Sequence, residues 1–270
     1  MGLMPHVRSA DGTPISCDRL STHGPAVVLV GGGLDDGAEN HPLGAHLADH
    51  FAVVNYQRRG RGDSGDAPSY SVGREVEDLA AVIDTAGGHA HLFGASSGGA
   101  LALEAAAAGL PVDRVAVHEV PYQVEAPMIS AWHTYRRELE SALDADDRDL
   151  VLRLFMRLAG SSEDDIAGAE ASPVWSALRE LAPTLRYDAE CLGDGPPPVH
   201  RLGLVRQPVL LTTTVGIDPQ MAGLPVDFFG GAADAAADAL PDARRVTLEV
   251  GGHVADAEAL ARVLRRFFTE

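Results

Sequence analysis

The sequence predicts an α/β protein: a mostly parallel, twisted sheet with helices on both faces and a helical segment inserted near its middle. Three observations carry this. Short apolar runs alternate with helical stretches over the first 121 and last 72 residues, the pattern of strands covered on both sides. Between residues 122 and 198 the β-like runs stop and only helical stretches remain. Gly94-Ala95-Ser96-Ser97-Gly98 follows one strand-like run directly and opens an Ala-rich helix. This last context places a serine on a sharp strand-to-helix turn, its hydroxyl above the sheet.

His6–Ser9 and Pro14–Cys17, joined through Asp11-Gly12, read as a hairpin. Ala26–Val30 is continuously apolar and ends in Gly31-Gly32-Gly33, as expected of a strand buried on both faces. A helix is expected over Leu43–His50, a strand over Phe51–Tyr56 and a helix over Gly73–Ala86. His89–Phe93 is the strand before the serine, Gly99–Ala108 the helix after it, and Arg114–His118 the next strand. The inserted block holds helices over Ala131–Leu143, Asp146–Leu158 and Val174–Leu181, and closes on a turn or hinge at Gly193–Pro198. The parallel pattern resumes with Pro208–Thr212, a helix over Gly231–Leu240, the strand Arg245–Val250 and a last helix over Asp256–Phe268. The expected division is a core of residues 1–121 and 199–270 with a lid of 122–198 over the carboxyl ends of the strands, where such sheets bind ligands.

Composition narrows the function classes. A formal charge of −18 argues against nucleic acid and anionic membrane surfaces as partners. All 21 basic residues are arginine, and Arg58, Arg59 and Arg61 are the candidates for a local basic patch. Two cysteines cannot form a disulfide framework. No apolar run approaches a membrane span, and the start lacks a signal-peptide pattern. A soluble cytoplasmic protein is expected. The histidines have no metal-ligand spacing, so neither metal nor other cofactor is expected. The oligomeric state is not legible.

The chemistry-bearing residues fall in the chain order Ser…acid…His. Ser96 is the candidate nucleophile. The N–H of Ser97, at a helix N-terminus, and that of Gly33 are candidate oxyanion donors, with Leu34 beside them. His253, in Gly251-Gly252-His253 after the final strand, is the candidate base. Two acids compete to orient it. Glu119 ends the strand next to the serine's strand, and Asp218 lies in the loop after Pro208–Thr212. The balance leans to Glu119, with Asp227 a distant third. His118 is expected to be a satisfied core histidine, and His23, His50 and His91 structural. Trp132, His133, Tyr135, Phe155 and Met156 either line a pocket or simply pack; Trp132 is the candidate substrate contact. Gly60–Gly65 matches G-x-G-x-x-G, but loop residues follow it instead of a helix, which excludes a dinucleotide fingerprint.

Tyr56-Gln57-Arg58-Arg59-Gly60-Arg61-Gly62-Asp63-Ser64-Gly65, together with Gly94–Gly98, Val117–Pro121 and Gly252-His253, resembles the α/β-hydrolase superfamily, in particular its actinobacterial esterase-like members, along nearly the whole chain. The resemblance implies Ser96 as nucleophile, His253 as base, and Gly33 and Ser97 as oxyanion donors. The chain departs from the pattern at Gly31, where many members have His, and at Gln57, where Asp is usual. It also lacks a clean G-x-x-D-x-x-x-P after the Pro208 strand, which leaves the acid to be chosen between Glu119 and Asp218. The expected activity is hydrolysis of an ester, thioester or lactone of a small acyl substrate. The alternatives are a cofactor-free lyase, epimerase, cyclase or perhydrolase on the same fold, or a ligand-binding module.

Overall fold

The computed structural model describes residues 6–216 and 218–270. Its eight strands are β1 (His6–Arg8), β2 (Pro14–Arg19), β3 (Ala26–Val30), β4 (Ala52–Tyr56), β5 (Ala90–Ala95), β6 (Val112–His118), β7 (Val209–Thr214) and β8 (Ala243–Leu248). They form one sheet in the order β1-β2-β4-β3-β5-β6-β7-β8. The β1–β2 and β2–β4 pairs are antiparallel, and all the others parallel. Every residue of β3 is buried, as its unbroken Val/Leu run requires of a central strand.

Helices cover both faces. They are α1 (His41–Leu47), α2 (Val72–Thr85), α3 (Ser97–Ala107), α4 (Ala126–Asp144), α5 (Arg148–Leu158), α6 (Glu163–Glu170), α7 (Val174–Leu181), α8 (Leu185–Leu192), α9 (Val199–Leu202), α10 (Phe228–Ala239) and α11 (Ala257–Thr269). Leu260, Leu264, Phe267 and Phe268 of α11 share a core with Val27, Leu29, Phe51 and Phe93 on one side of the sheet. Leu79, Val82, Ile83, Leu101 and Leu103 of α2 and α3 share the larger core on the other side with Val28, Val30 and Leu92. Among the described residues no helix is long and apolar enough to cross a membrane.

The differences from expectation have local causes. Helix α1 begins two residues early because Pro42 sits in its first turn, where the missing N–H costs nothing. Helix α4 likewise starts at Ala126, with Pro127 in its first turn. Helix α6 was not expected, although Ser162 and Asp165 form a capping box at its start. Helix α8, also unexpected, follows a short 3₁₀ turn at Ala182–Thr184. Strand β8 lies two residues earlier than expected, paired with β7 from Val209↔Ala243 to Thr214↔Leu248.

One expectation is overturned. Arg58, Arg59 and Arg61 form no surface patch: their exposures are 2%, 0% and 0%. Each is drawn inward by acids far along the chain. Arg59 pairs with Asp78 at 2.7 Å and Asp11 at 3.1 Å. Arg58 holds Glu75 at 2.6 Å and Asp188 of α8 at 2.7 Å, and Arg61 holds the same Asp188 at 2.8 Å. Buried charges of this kind persist only when paired and hydrogen-bonded.

Candidate active site

The serine turn is built from small residues for a steric reason. A Cβ on Gly94 would run into the backbone of Gly98 and Gly99, and one on Gly98 into the carbonyls of Val30 and Gly31. Strand β5, helix α3 and the loop after β3 therefore approach closely enough to pinch Ser96 between them. Ser96 takes φ 52° and ψ −127°, a conformation that costs an L-residue about 1–3 kcal/mol and is held by the surrounding fold. Ser97 is the first residue of α3, so its N–H is one of the unpaired donors at a helix N-terminus.

His253 reaches this edge from the loop after β8 and is fixed on four sides. Its backbone N–H donates to Asp218 Oδ2 at 3.3 Å. The preceding carbonyl, of Gly252, is hydrogen-bonded by His118 Nε2 at 3.3 Å and by Thr214 Oγ1 at 3.1 Å. The ring stacks on Phe229, with centroids 4.9 Å apart. Its Nδ1 lies 3.0 Å from Glu119 Oε2. The other carboxylate oxygen, Glu119 Oε1, accepts the Thr214 N–H at 2.9 Å. Glu119 itself has φ 47°, which turns its side chain back across the strand end. A carboxylate accepting from Nδ1–H leaves Nε2 of the neutral imidazole as the free acceptor.

Ser96 and His253 line one cavity of about 70 Å³ together with Gly33, Ser97, Trp132 and Asp188. No hydrogen bond joins Ser96 Oγ to His253 among the described residues; such contacts commonly tighten only when substrate arrives. Apart from Gln123 the remaining walls are largely apolar, including Tyr135, Phe155, Leu158 and Leu185. Trp132 is nearly buried, its Nε1 donating to the Gly193 carbonyl at 2.9 Å.

Other candidates fall elsewhere. Asp218 meets the backbone of His253, not its ring, and caps the Pro219–Met221 turn through Gln220 N at 2.9 Å. Asp227 lines a neighbouring cavity behind Glu119. Leu34, at φ 58°, packs against the hydrophobic core and does not line the serine's cavity. His133 contacts the carbonyl of Asp194 instead. His118 is buried, bonded to Thr212 Oγ1 at 3.0 Å, and burial lowers its pKa. His91 is also buried, stacked on Phe268, whereas His50 is exposed beside Arg265.

Sequence reasoning missed Asp188. Its Oδ1 accepts from Arg58 Nη1 at 2.7 Å, Arg61 Nη2 at 2.8 Å and Ser97 Oγ at 2.7 Å. Arg58 and Arg61 also donate to the carbonyls of Gly31 and Gly32. One buried cluster thus ties the glycine loop after β3, the start of α3 and helix α8 together. Burial opposes ionisation of Asp188 and Glu75, yet the adjacent guanidiniums prevail and hold both carboxyls below their usual range. The arginine run after β4 was the only signal, and nothing in its spacing pointed to a partner 127 or 130 residues away.

A family model described as "Alpha/beta hydrolase family" matches residues 26–264. The chain belongs to the alpha/beta hydrolase family. Its eight-stranded, mostly parallel sheet is the fold of that family. Among solved structures, the chain is similar to an alpha/beta hydrolase from Sphaerobacter thermophilus DSM 20745. That pair shares 42% identity and a TM-score of 0.86, with 98% of this chain and 100% of the other covered. It is also similar to the enol-lactonase from Burkholderia xenovorans LB400, at 22% identity and TM-score 0.70, covering 98% of this chain and 100% of that one. A third match is the 2-hydroxy-6-oxo-6-phenylhexa-2,4-dienoate hydrolase of Rhodococcus sp. strain RHA1, at 24% identity and TM-score 0.66, covering 99% of each chain. The last two identities speak to the fold alone. None of the curated proteins compared matches the chain.

Proposed function

We propose that this chain is a serine hydrolase that cleaves an ester, thioester or lactone of a small acyl substrate through an acyl-enzyme. The observation that carries the reading is the Glu119–His253 pair at 3.0 Å, opening onto the same cavity as Ser96. Residues 122–198 act as a lid in this reading, since helices α4, α5 and α8 supply most of the cavity's apolar wall.

In the reaction, Ser96 Oγ attacks the substrate carbonyl while His253 Nε2 takes its proton. Glu119 holds the imidazole by Nδ1–H and stabilises the cation that forms. The N–H groups of Gly33 and Ser97 bind the oxyanion; a donor of this kind is worth on the order of 10²–10³ in kcat. His253 then protonates the leaving group, and water repeats the sequence on the acyl-enzyme. The cavity suits a short acyl chain.

The test is turnover of a short p-nitrophenyl ester by wild type and Ser96→Ala, with labelling by a fluorophosphonate. Wild type hydrolyses the ester and is labelled at Ser96, whereas Ser96→Ala does neither and keeps its melting temperature. Full turnover by the variant refutes the reading.

A further inference from the structure

Asp188 stands out within the cavity because it is a charged group among apolar walls. An ionised carboxylate offers about four lone-pair sites. Three donors crowd onto Oδ1, from Arg58, Arg61 and Ser97. Oδ2 receives only Arg61 Nη2, at 2.9 Å. That oxygen faces the cavity at Gly33, where an added Cβ would stand 3.5 Å from it. The residue is 5% exposed, so solvent does little to satisfy the remaining lone pair.

A second acceptor is left unpartnered behind the same walls. Gln123 lines the cavity and is 3% exposed; its Nε2 donates to the Pro121 carbonyl at 2.8 Å. That bond fixes which end of the amide is the donor. The other end, Oε1, is buried without a hydrogen-bond partner among the described residues. An acceptor left unmade is costly, which makes the free lone pair of Asp188 Oδ2 a selector for a ligand that donates to it.

The charges behind Asp188 sharpen the selection. Arg58 and Arg61 balance Glu75 and Asp188, so the cluster is neutral as a whole. Neither guanidinium lines the cavity, whereas the Asp188 carboxylate does. A bound molecule therefore meets the negative member first. A carboxylate on the substrate would bring no donor and would face a like charge at close range.

We propose that the acyl part of the substrate carries a hydroxyl, donated to Asp188 Oδ2, and that the cavity rejects acyl groups bearing a carboxylate. The proposal rests on the acyl-transfer reading of this cavity and names its substrate class. Asp188 is then the specificity-determining residue, and its pairing with Ser97 sets that selection beside the nucleophile.

Three esters of similar size test it: methyl butanoate, methyl 3-hydroxybutanoate as each enantiomer, and monomethyl succinate. Binding to Ser96→Ala is read by calorimetric titration, and turnover by wild type in a pH-stat. One enantiomer of the hydroxy ester is expected to bind, and to react in kcat/KM, about tenfold better than methyl butanoate. Monomethyl succinate is expected to be about tenfold or more worse. In Asp188→Asn the preference for the hydroxyl shrinks. One arginine charge is then unbalanced, so monomethyl succinate gains on methyl butanoate by on the order of tenfold. This ratio does not move if Asp188 merely supports the fold. If Asp188→Asn does not fold, the wild-type order decides alone. Equal handling of all three esters, or the same order in Asp188→Asn, overturns the proposal. The binding order without any wild-type turnover would keep the proposal and sink acyl transfer; turnover without the order would do the reverse.

Discussion

Replacing Glu119 by Gln keeps the shape of the side chain and removes only its ability to accept at both ends. In the native site one oxygen takes the Thr214 N–H at 2.9 Å and the other faces His253 Nδ1 at 3.0 Å. If the amide oxygen stays on Thr214, the NH₂ group meets Nδ1, which must now accept. The ring proton then resides on Nε2, the nitrogen that has to receive the serine's proton. If the amide turns round, two donors oppose each other at Thr214, at a cost of about 1–3 kcal/mol. The working tautomer is thus reached only in the costlier arrangement, and there a neutral amide no longer stabilises the imidazolium. The corresponding Asp→Asn change in a Ser-His-Asp enzyme lowers kcat by about 10⁴. We expect a fall of about 10³–10⁴ here, about 4–5.5 kcal/mol of transition-state stabilisation. KM for a p-nitrophenyl ester should stay near wild type. Asp218→Asn is the control. Of His253 its carboxylate touches only the backbone N–H, at 3.3 Å, so the change should cost no more than about tenfold in kcat. A Glu119→Gln enzyme within tenfold of wild type, or a larger loss in Asp218→Asn, would refute the assignment of the acid.

Two further outcomes follow from the buried groups. Glu75→Gln strips Arg58 of a partner whose side chain is 1% exposed; unfolding by urea should show a loss of about 3–5 kcal/mol, and a loss below about 1 kcal/mol would contradict the pairing. Glu75 and Asp188 have lowered pKa values in the folded chain, so the stability they confer is complete above the unfolded carboxyl range near about pH 4 and is lost as pH falls through the folded values. Below that range Glu75→Gln should show a shallower slope of stability against pH. Finally, burial pushes the thiols of Cys17 and Cys191 up to about 12. A thiol-disulfide reagent at neutral pH should leave the native protein almost unlabelled and modify both cysteines in urea, whereas fast native labelling would show that these thiols are accessible.

Much of the sheet was legible because its signals are local. The run Ala26–Val30 is apolar at every position and is observed as a strand with those bounds. Gly94–Gly98 needs small residues whatever surrounds it, and a strand, a positive-φ serine and a helix follow in that order. Strand β8 was harder to place, with only Leu248 fully buried along it. An edge strand with exposed arginines lacks the apolar run that marks a central one, so its pairing with β7 decides its ends. Helices α6 and α8 escaped for a different reason. Helix α6 buries only Ile166 and so has no apolar stripe for periodicity to find, while α8 follows directly on the Pro183 turn and buries polar Asp188 among its apolar residues.

The residues around Ser96 divide along the same line. Position 253 follows the last strand and is flanked by glycines, and position 119 ends a strand beside the serine's own; sheet order alone brings such positions to one edge. Asp188 has no comparable mark. It is one of 39 acidic residues, and what distinguishes it is where two arginines from the loop after β4 come to rest. Those arginines looked like a surface patch because charge is normally solvated. Their burial requires counter-ions, and only the folded chain shows which acids supply them. Because Asp188 completes that neutral cluster and also lines the cavity, the charge balance that permits Arg58 and Arg61 inside the fold would also set the polarity of the surface a substrate meets. A chain with an apolar residue at 188 would have to lose Arg61 or leave its charge unbalanced beside the cavity, so on the proposed reading stability and substrate choice are coupled through a single carboxylate.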